Sequence, residues 1–224
     1  MKRNQSGFTL IEIAIVLVII GLLLGGVLKG QELINSAKVK NLAADFKNIP
    51  VYIYGYQDKF KALPGDQNQA SLDSQFPPAA TGTACTPAAA SKCVTTNGVI
   101  DGTWDAAAVT DESFVFWQHV RLAGFGPGAT LTTAADYRPK NAVGGYIGVT
   151  SASLSPVTGI KGTYIVCSDA IAGKFAKQLD TTLDDSNAAT GSVMIVPAGT
   201  STPAAALATS AIVDDTTYLV CMGY

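Results

Sequence analysis

The feature that most constrains this chain is an apolar run near its start. From Ile13 to Leu28, sixteen consecutive residues carry no charge, and the only charged residue between Phe8 and Leu28 is Glu12. The 21 residues from Phe8 to Leu28 would extend about 31 Å as a helix, which matches the core of one bilayer. A charge at mid-membrane costs about 3 kcal/mol and usually marks function or pairing. Glu12 is therefore expected to have a specific role.

The rest of the chain predicts one exported domain. Residues 63–224 are polar overall, and about 160 residues suffice for a head with its own core. The formal net charge of the chain is -2. Direct binding of nucleic acid is not expected, because no basic excess is available to neutralise phosphates.

Four cysteines lie beyond the apolar segment, at Cys85, Cys93, Cys167 and Cys221. An even number in an exported domain predicts disulfides, and four cysteines allow three pairings. Cys85 and Cys93 flank a short loop, whereas Cys167 and Cys221 each end a strand-like run. We favour the pairs Cys85 with Cys93 and Cys167 with Cys221; the alternative is four buried thiols in a reducing compartment.

Two general interpretations of the first thirty residues are possible. A secretory signal would be cleaved at small residues after the apolar run, but LLLGGVLKGQ contains no A-x-A-like site. A plain signal anchor would keep Lys2 and Arg3 in the cytoplasm and place the remainder outside. The anchor explains the orientation of the chain but gives Glu12 no role.

A third interpretation follows from the segment GFTLIEIAIVLVIIGLLL, which resembles the N-terminus of type IV prepilins and of type II secretion pseudopilins. The resemblance implies a leader from Met1 to Gly7, cleavage between Gly7 and Phe8, and N-methylation of Phe8. It also implies that Glu12 neutralises the Phe8 ammonium of a neighbouring subunit during assembly. Low dielectric would strengthen that attraction. The alternative is that Glu12 lies near the membrane face and simply contacts water.

The resemblance also implies partners and a location. The subunit would form a homopolymer, with a prepilin peptidase, an inner-membrane assembly platform and an outer-membrane secretin as partners. It would begin as a single-pass inner-membrane protein with a periplasmic head and end in an extracellular pilus or a periplasmic pseudopilus. We favour a structural pilus subunit, because the size of the head and its two expected disulfides suit an exposed fibre. The alternatives are a pseudopilin that drives protein export and a minor tip pilin or adhesin.

One departure from the pilin pattern concerns helix breakers. Many pilins carry a proline in the first half of the long helix, whereas this chain has none from Phe8 to Ile49. It has Gly21, Gly25, Gly26 and Gly30 instead. These glycines would allow either close helix approach or local unwinding in a filament.

Beyond Lys29 the apolar residues become periodic and predict that the helix continues to about Lys61. The stripe consists of Leu42, Phe46, Ile49, Ile53, Tyr56 and Phe60. Pro64 and Gly65 should end the helix. The expected organisation is a leader at 1–7, a membrane and polymerisation helix at 8–28, an amphipathic half at 29–62 and a globular head at 63–224.

The predicted fold class is α+β, pilin-like, with the long N-terminal helix packed against an antiparallel β-sheet head. A surface loop is expected from Ser71 to Cys93. A helix from Glu112 to Ala123 would be capped by Asp111, and a second helix, capped by Ser168, would carry an apolar stripe. That stripe is Ile171, Phe175, Leu179 and Leu183. The predicted strands are Val143 to Thr150, Gly162 to Cys167, Ser192 to Val196 and Thr217 to Met222.

The sequence offers little catalytic chemistry. His119 is the single histidine, and no Cys-x-x-Cys, G-x-S-x-G, Walker A or G-x-G-x-x-G motif is present. Neither an enzyme nor a transition-metal site is expected. Calcium is the one cofactor considered, with Asp66, Asp101 and Asp105 as weak candidate ligands. Caps and solvated turns are the alternative roles for these carboxylates, and the pair Asp184 and Asp185 is expected at the surface.

Overall fold

The structure is a computed structural model that describes residues 9–76 and 96–224 of the 224-residue chain. These residues fall into two compact units, one ending at Lys38 and the other running from Val39 to Tyr224. The α-helices in the described residues are α1 (Leu10–Phe60), α2 (Gln69–Gln75), α3 (Glu112–Leu122) and α4 (Gly173–Leu183). Short 3₁₀ turns occur at Ala152–Leu154 and Thr209–Ala211.

An antiparallel sheet forms the second layer of the larger unit. Its strands are β1 (Ile147–Ser151), β2 (Tyr164–Ala172), β3 (Val193–Pro197) and β4 (Thr217–Gly223), in the spatial order β1-β2-β4-β3. One row of register partners crosses the sheet through Gly148, Cys167, Cys221 and Met194. The predicted α+β class, with a long apolar helix followed by an antiparallel sheet, is confirmed.

The apolar stripe explains why α1 from Val39 onward is part of the larger unit. Leu42, Phe46, Ile49 and Ile53 are buried in one hydrophobic core together with residues of β1, β2 and β4. Two polar contacts add to this packing: Tyr224 Oη donates to the Phe46 carbonyl, and Gln57 Nε2 donates to Tyr164 Oη at 3.3 Å. The helix ends at Phe60, close to the predicted end.

Gly65 accounts for the tight passage that follows α1. Its φ is +95°, and an added Cβ would lie 2.7 Å from the Glu112 carbonyl oxygen, so a side chain has no room there. The Gly65 N–H donates to His119 Nδ1 at 2.9 Å. The turn after α1 is thereby attached to α3.

Helix α3 is buried along its length, including its polar residues. The Arg121 guanidinium donates to the carbonyls of Pro127, Ala129 and Tyr137. Burying a polar group is costly unless it is hydrogen-bonded, and these bonds hold the 127–137 segment over the helix. One expectation was wrong: Asp111 occupies the N-cap position, but its side chain makes no capping hydrogen bond.

The first predicted strand begins later than expected. Residues before Ile147 form a turn in which Asn141 Oδ1 accepts from the N–H groups of Val143 and Gly145. The strand therefore covers Ile147–Ser151 rather than Val143 to Thr150. An asparagine side chain that accepts from the backbone two residues on competes with strand pairing.

Ser168 does not cap a helix, contrary to the prediction. It lies inside β2, which continues to Ala172 past an irregularity between Ser168 and Ile171. Its hydroxyl accepts from Asn141 Nδ2 at 2.8 Å. Helix α4 begins at Gly173, and of the predicted stripe Phe175 and Leu179 are buried in the helix, whereas Ile171 is a strand residue.

The segment predicted as a loop from Ser71 also contains regular structure. Helix α2 occupies Gln69–Gln75, and Asn68 Oδ1 caps it by accepting from the Ser71 N–H at 2.9 Å. Leu72 and Phe76 are buried against Phe60 and α3 residues. The rest of the predicted loop, from 77 to 93, lies outside the described residues.

Candidate functional site

The first half of α1 exposes its apolar side chains. Every residue from Thr9 to Lys29 is exposed, and Leu24, for example, has 59% of its surface accessible. Within the described parts of the chain, α1 is the helix that is long and apolar enough to cross a membrane, by length and composition. The apolar helix fits membrane anchoring, because contiguous exposed apolar surface requires a lipid or protein partner.

Glu12 forms a reciprocal cap at the start of this helix. Its Oε2 accepts from the Thr9 N–H and from the Thr9 hydroxyl, both at 2.8 Å. The Glu12 N–H donates back to Thr9 Oγ1 at 3.3 Å. This is the capping-box arrangement, in which two otherwise unpaired backbone donors at a helix N-terminus are satisfied. The carboxylate is thus held beside the first turn of α1.

No cation of the described residues accompanies this carboxylate. Lys29 is the first basic residue in the described part of the chain, and it pairs with Glu32 at 2.6 Å. A carboxylate within an apolar surface is stabilised by a positive partner when water is removed. Any positive partner of Glu12 would therefore come from outside the described residues.

The four glycines of this helix leave its surface open. A Cβ added at Gly21, Gly25, Gly26 or Gly30 would meet nothing within 4 Å. All four lie inside the continuous helix Leu10–Phe60, so none of them interrupts it in this subunit. Small residues at an exposed helix surface let another helix approach closely.

Several residues predicted from the sequence fall outside the described residues. These are Gly7 and Phe8 at the expected cleavage point, and Cys85 and Cys93 of the expected loop disulfide.

Cys167 and Cys221 form a disulfide between β2 and β4. They are direct register partners in neighbouring antiparallel strands, and both side chains are fully buried. The bond links residues 54 positions apart in the sequence. Closing a loop of this length removes freedom from the unfolded chain and stabilises the head.

The three carboxylates proposed for calcium all accept hydrogen bonds, and Asp66 and Asp101 share Asn97 as a partner. Asp66 accepts from the N–H groups of Asn97 and Gly98, and Asp101 accepts from Asn97 Nδ2. Asp105 accepts from the Ser201 hydroxyl at 2.6 Å. Burial raises the pKa of the Asp66 carboxyl, aided by the nearby Asp101 charge and opposed by the two backbone hydrogen bonds. Asp66 and Asp105 thus bind segments distant in sequence, whereas Asp101 binds a residue four positions away.

A different set of three carboxylates lies close enough together to bind a metal ion. Within the described residues, three ligand atoms gather within 4.8 Å of one another at Asp180, Asp184 and Asp185. Asp184 and Asp185 are among the oxygen ligands that the sequence offers but were expected at the surface, and sequence reasoning did not single out Asp180.

Thr9 is the residue at the N-terminal site that sequence reasoning missed. The signal was present, because T-x-x-E before an apolar run is the pattern of a capping box. Thr9 and Glu12 are three residues apart in GFTLIE. Glu12 was expected to pair with a neighbouring subunit, and its local role in starting the helix was not predicted.

Residues 2–28 match the family model of the prokaryotic N-terminal methylation motif. The matched segment includes Gly7, Phe8, Glu12 and the apolar part of α1, and it supports assignment to the type IV pilin and pseudopilin family. No curated protein matches the chain. The motif implies polymerisation and processing by a prepilin peptidase during membrane assembly.

Proposed function

We propose that this chain is a structural subunit of a type IV pilus-like filament. In this proposal the leader is cleaved between Gly7 and Phe8, the new amino group is methylated, and the subunits polymerise through α1. The head is periplasmic before assembly and is displayed on the fibre afterwards. The chain acts as a building element, in keeping with the generally non-enzymatic nature of pilin subunits.

The main support for the proposal is the difference in burial between the two parts of α1. Its first half exposes every apolar side chain from Leu10 to Leu28, whereas Leu42 and Phe46 are fully or almost fully buried. A 51-residue helix would extend about 77 Å at about 1.5 Å per residue. Half of that length is available to a bilayer before assembly and to neighbouring helices afterwards.

In this proposal Glu12 sets the axial register between neighbouring subunits. It lies in the first turn of α1, four residues after Phe8, so a neighbour's Phe8 amine could approach its carboxylate. In an apolar helix bundle a single ion pair favours one axial alignment over others, since every other alignment leaves two charges unpaired. The Thr9 hydrogen bonds keep the carboxylate oriented until that partner arrives.

The test is to shear surface fibres from cells that make this protein and to measure the N-terminal peptide and the intact mass. A methylated chain starting at Phe8 in extracellular fibres is expected. The same processed chain confined to the cell envelope would indicate a secretion pseudopilus instead. A chain that still starts at Met1 would overturn the proposal and leave a plain anchored head.

A further inference from the structure

Three carboxylates meet where α4 ends. Asp180 lies in the last turn of α4, Asp184 is the residue directly after the helix, and Asp185 follows it. One carboxylate oxygen from each lies within 4.8 Å of the others. Like charges at this separation repel unless a proton or a cation lies among them.

Asp180 is buried without a compensating contact. It is only 1% exposed, yet neither of its carboxylate oxygens has a hydrogen-bond partner among the described residues. A buried carboxylate is normally paired, hydrogen-bonded or bound to a metal, because the desolvation of the charge is otherwise uncompensated. Burial, together with the charges of Asp185 and Asp184, raises the pKa of Asp180 to about 6.

Asp184 and Asp185 are held in place by the loop that follows. Asp184 Oδ2 accepts from the backbone N–H groups of Ser192 and Val193 at the start of β3. Asp185 accepts from the Asn187 N–H at 2.8 Å and from the Thr190 hydroxyl at 3.1 Å. The loop thus positions two carboxylates against the buried one, and the exposed Asp185 leaves the cluster accessible from solvent.

The chemistry of these groups favours a hard divalent cation. All three donors are carboxylate oxygens, which suit calcium and magnesium rather than zinc or copper. The C-terminal end of a helix carries a partial negative charge that favours cations. Calcium accepts an irregular set of six to eight oxygens, whereas magnesium demands near-octahedral geometry and retains its waters. A loop site with three acidic residues at different depths fits the larger ion.

We propose that Asp180, Asp184 and Asp185 form a calcium site that joins the end of α4 to the start of β3. The bound ion neutralises the buried Asp180 carboxylate and holds the Asp184–Gly191 loop against the sheet. Water and loop carbonyl oxygens complete the coordination. Calcium then stabilises the surface of the head without taking part in the contacts made by α1.

The test measures calcium binding to the full chain in detergent micelles. CaCl₂ is titrated by calorimetry over about 10 µM to 10 mM, since exported modules bind calcium at about 10⁻⁴ to 10⁻³ M. Unfolding is followed in parallel by the fluorescence of Trp104 and Trp117, both buried in the larger unit. One calcium per chain and a higher unfolding temperature than in EDTA are expected; no binding and no shift would overturn the proposal.

Matched variants separate a calcium site from a purely structural cluster. Asp180→Asn keeps the shape of the side chain but removes the buried charge, so it should unfold in EDTA no earlier than the wild type and should no longer respond to calcium. Asp185→Asn, at the exposed edge, should weaken the calcium Kd at least about tenfold, since ligand charge tunes affinity. Asp214→Asn, whose carboxylate pairs with Lys177, should bind calcium as the wild type does. Calcium binding retained by Asp180→Asn would overturn the proposal.

Discussion

Leucines of the same helix have opposite environments in the two units of this protein. Leu24, in the unit that ends at Lys38, is 59% exposed, whereas Leu42, in the unit that begins at Val39, is fully buried. Both are good helix formers and both sit in a continuous helix. What differs is the partner: Leu42 belongs to a core built by the chain itself, and Leu24 meets no other part of the described chain.

The two units therefore differ in where their apolar side chains can be buried. Burial of an apolar side chain contributes about 1.5–3 kcal/mol, and the larger unit obtains that contribution within one subunit. The apolar side chains of the first unit are exposed, so they would obtain it from lipid or from other proteins. Under the proposed function, substitutions there should alter assembly while leaving the head folded.

The largest effect is expected at the leader. Gly7→Arg should block cleavage completely, because a long charged side chain replaces hydrogen at the bond to be cut, and the protein should remain in the inner membrane. The intact mass of the membrane-bound chain measures this. Gln5→Arg adds the same charge two residues upstream and should be processed normally. Mature fibres from Gly7→Arg would show that the proposed cleavage point is wrong.

The next largest effect, a loss of fibre assembly, is expected at Glu12. Glu12→Ala should leave membrane insertion and leader removal intact but abolish fibres, since the neighbour's amine would lose its charged partner. Sheared fibres and the processed N-terminal peptide are measured together.

Two further variants distinguish pairing from capping at this site. Glu12→Gln can retain the capping hydrogen bonds to Thr9 without the charge, and it should also fail to assemble. Thr9→Ala removes the cap, at a cost of about 1 kcal/mol in helix stability, but keeps the charge and should still form fibres. Normal fibres from Glu12→Gln would rule out the charge-pairing model.

The same substitution at Leu42 and at Leu24 tests the difference between the two units directly. Leu42→Ala should lower the free energy of unfolding of the head by about 2–5 kcal/mol, because a cavity forms in the core. Leu24→Ala, the same change at an exposed position, should alter it by no more than about 0.5 kcal/mol. Denaturant unfolding in detergent, followed by tryptophan fluorescence, gives both values. Equal losses would mean that the two units unfold as one.

The smallest effect is a pH dependence centred on His119. Burial lowers the pKa of this imidazole to about 3, whereas the unfolded chain binds the proton below about 6.5. The unfolded state is therefore favoured as pH falls from about 6.5 towards 3. Between pH 7.5 and 5 the head should lose about 2 kcal/mol from this group.

The control for His119 must remove titration but keep the hydrogen bond from Gly65. Asn can place its side-chain oxygen near Nδ1, so His119→Asn should unfold with a weaker pH dependence even if it is less stable at every pH. Comparing slopes is necessary because Asp45 and Asp180, whose carboxyl pKa values burial raises to about 6, contribute with the opposite sign. Identical slopes for the wild type and the variant would contradict the assignment.

Much of the architecture could be predicted from local pattern. The extent of α1 follows from its apolar stripe and from the Pro64–Gly65 pair, and the late strands follow from runs such as SVMIV and TYLVC. Some errors were local, such as the Asn141 turn that shortens β1, and others came where distant segments intervene. Ser168 resembles a helix cap, but it pairs with Ile147 of β1 and Val220 of β4, and its hydroxyl accepts from Asn141.

The apolar helix, the match to the N-terminal methylation motif and the position of Glu12 follow from the sequence alone, because membrane length, charge placement and a short contiguous motif are local properties. The i, i+4 spacing of Asp180 and Asp184 at the end of α4 is also a local property. The tertiary structure decides that Asp180 is buried with no hydrogen-bond partner among the described residues, because α4 packs against β2, β3 and β4. Burial arises from contacts between distant segments, so it becomes visible only once the chain is folded.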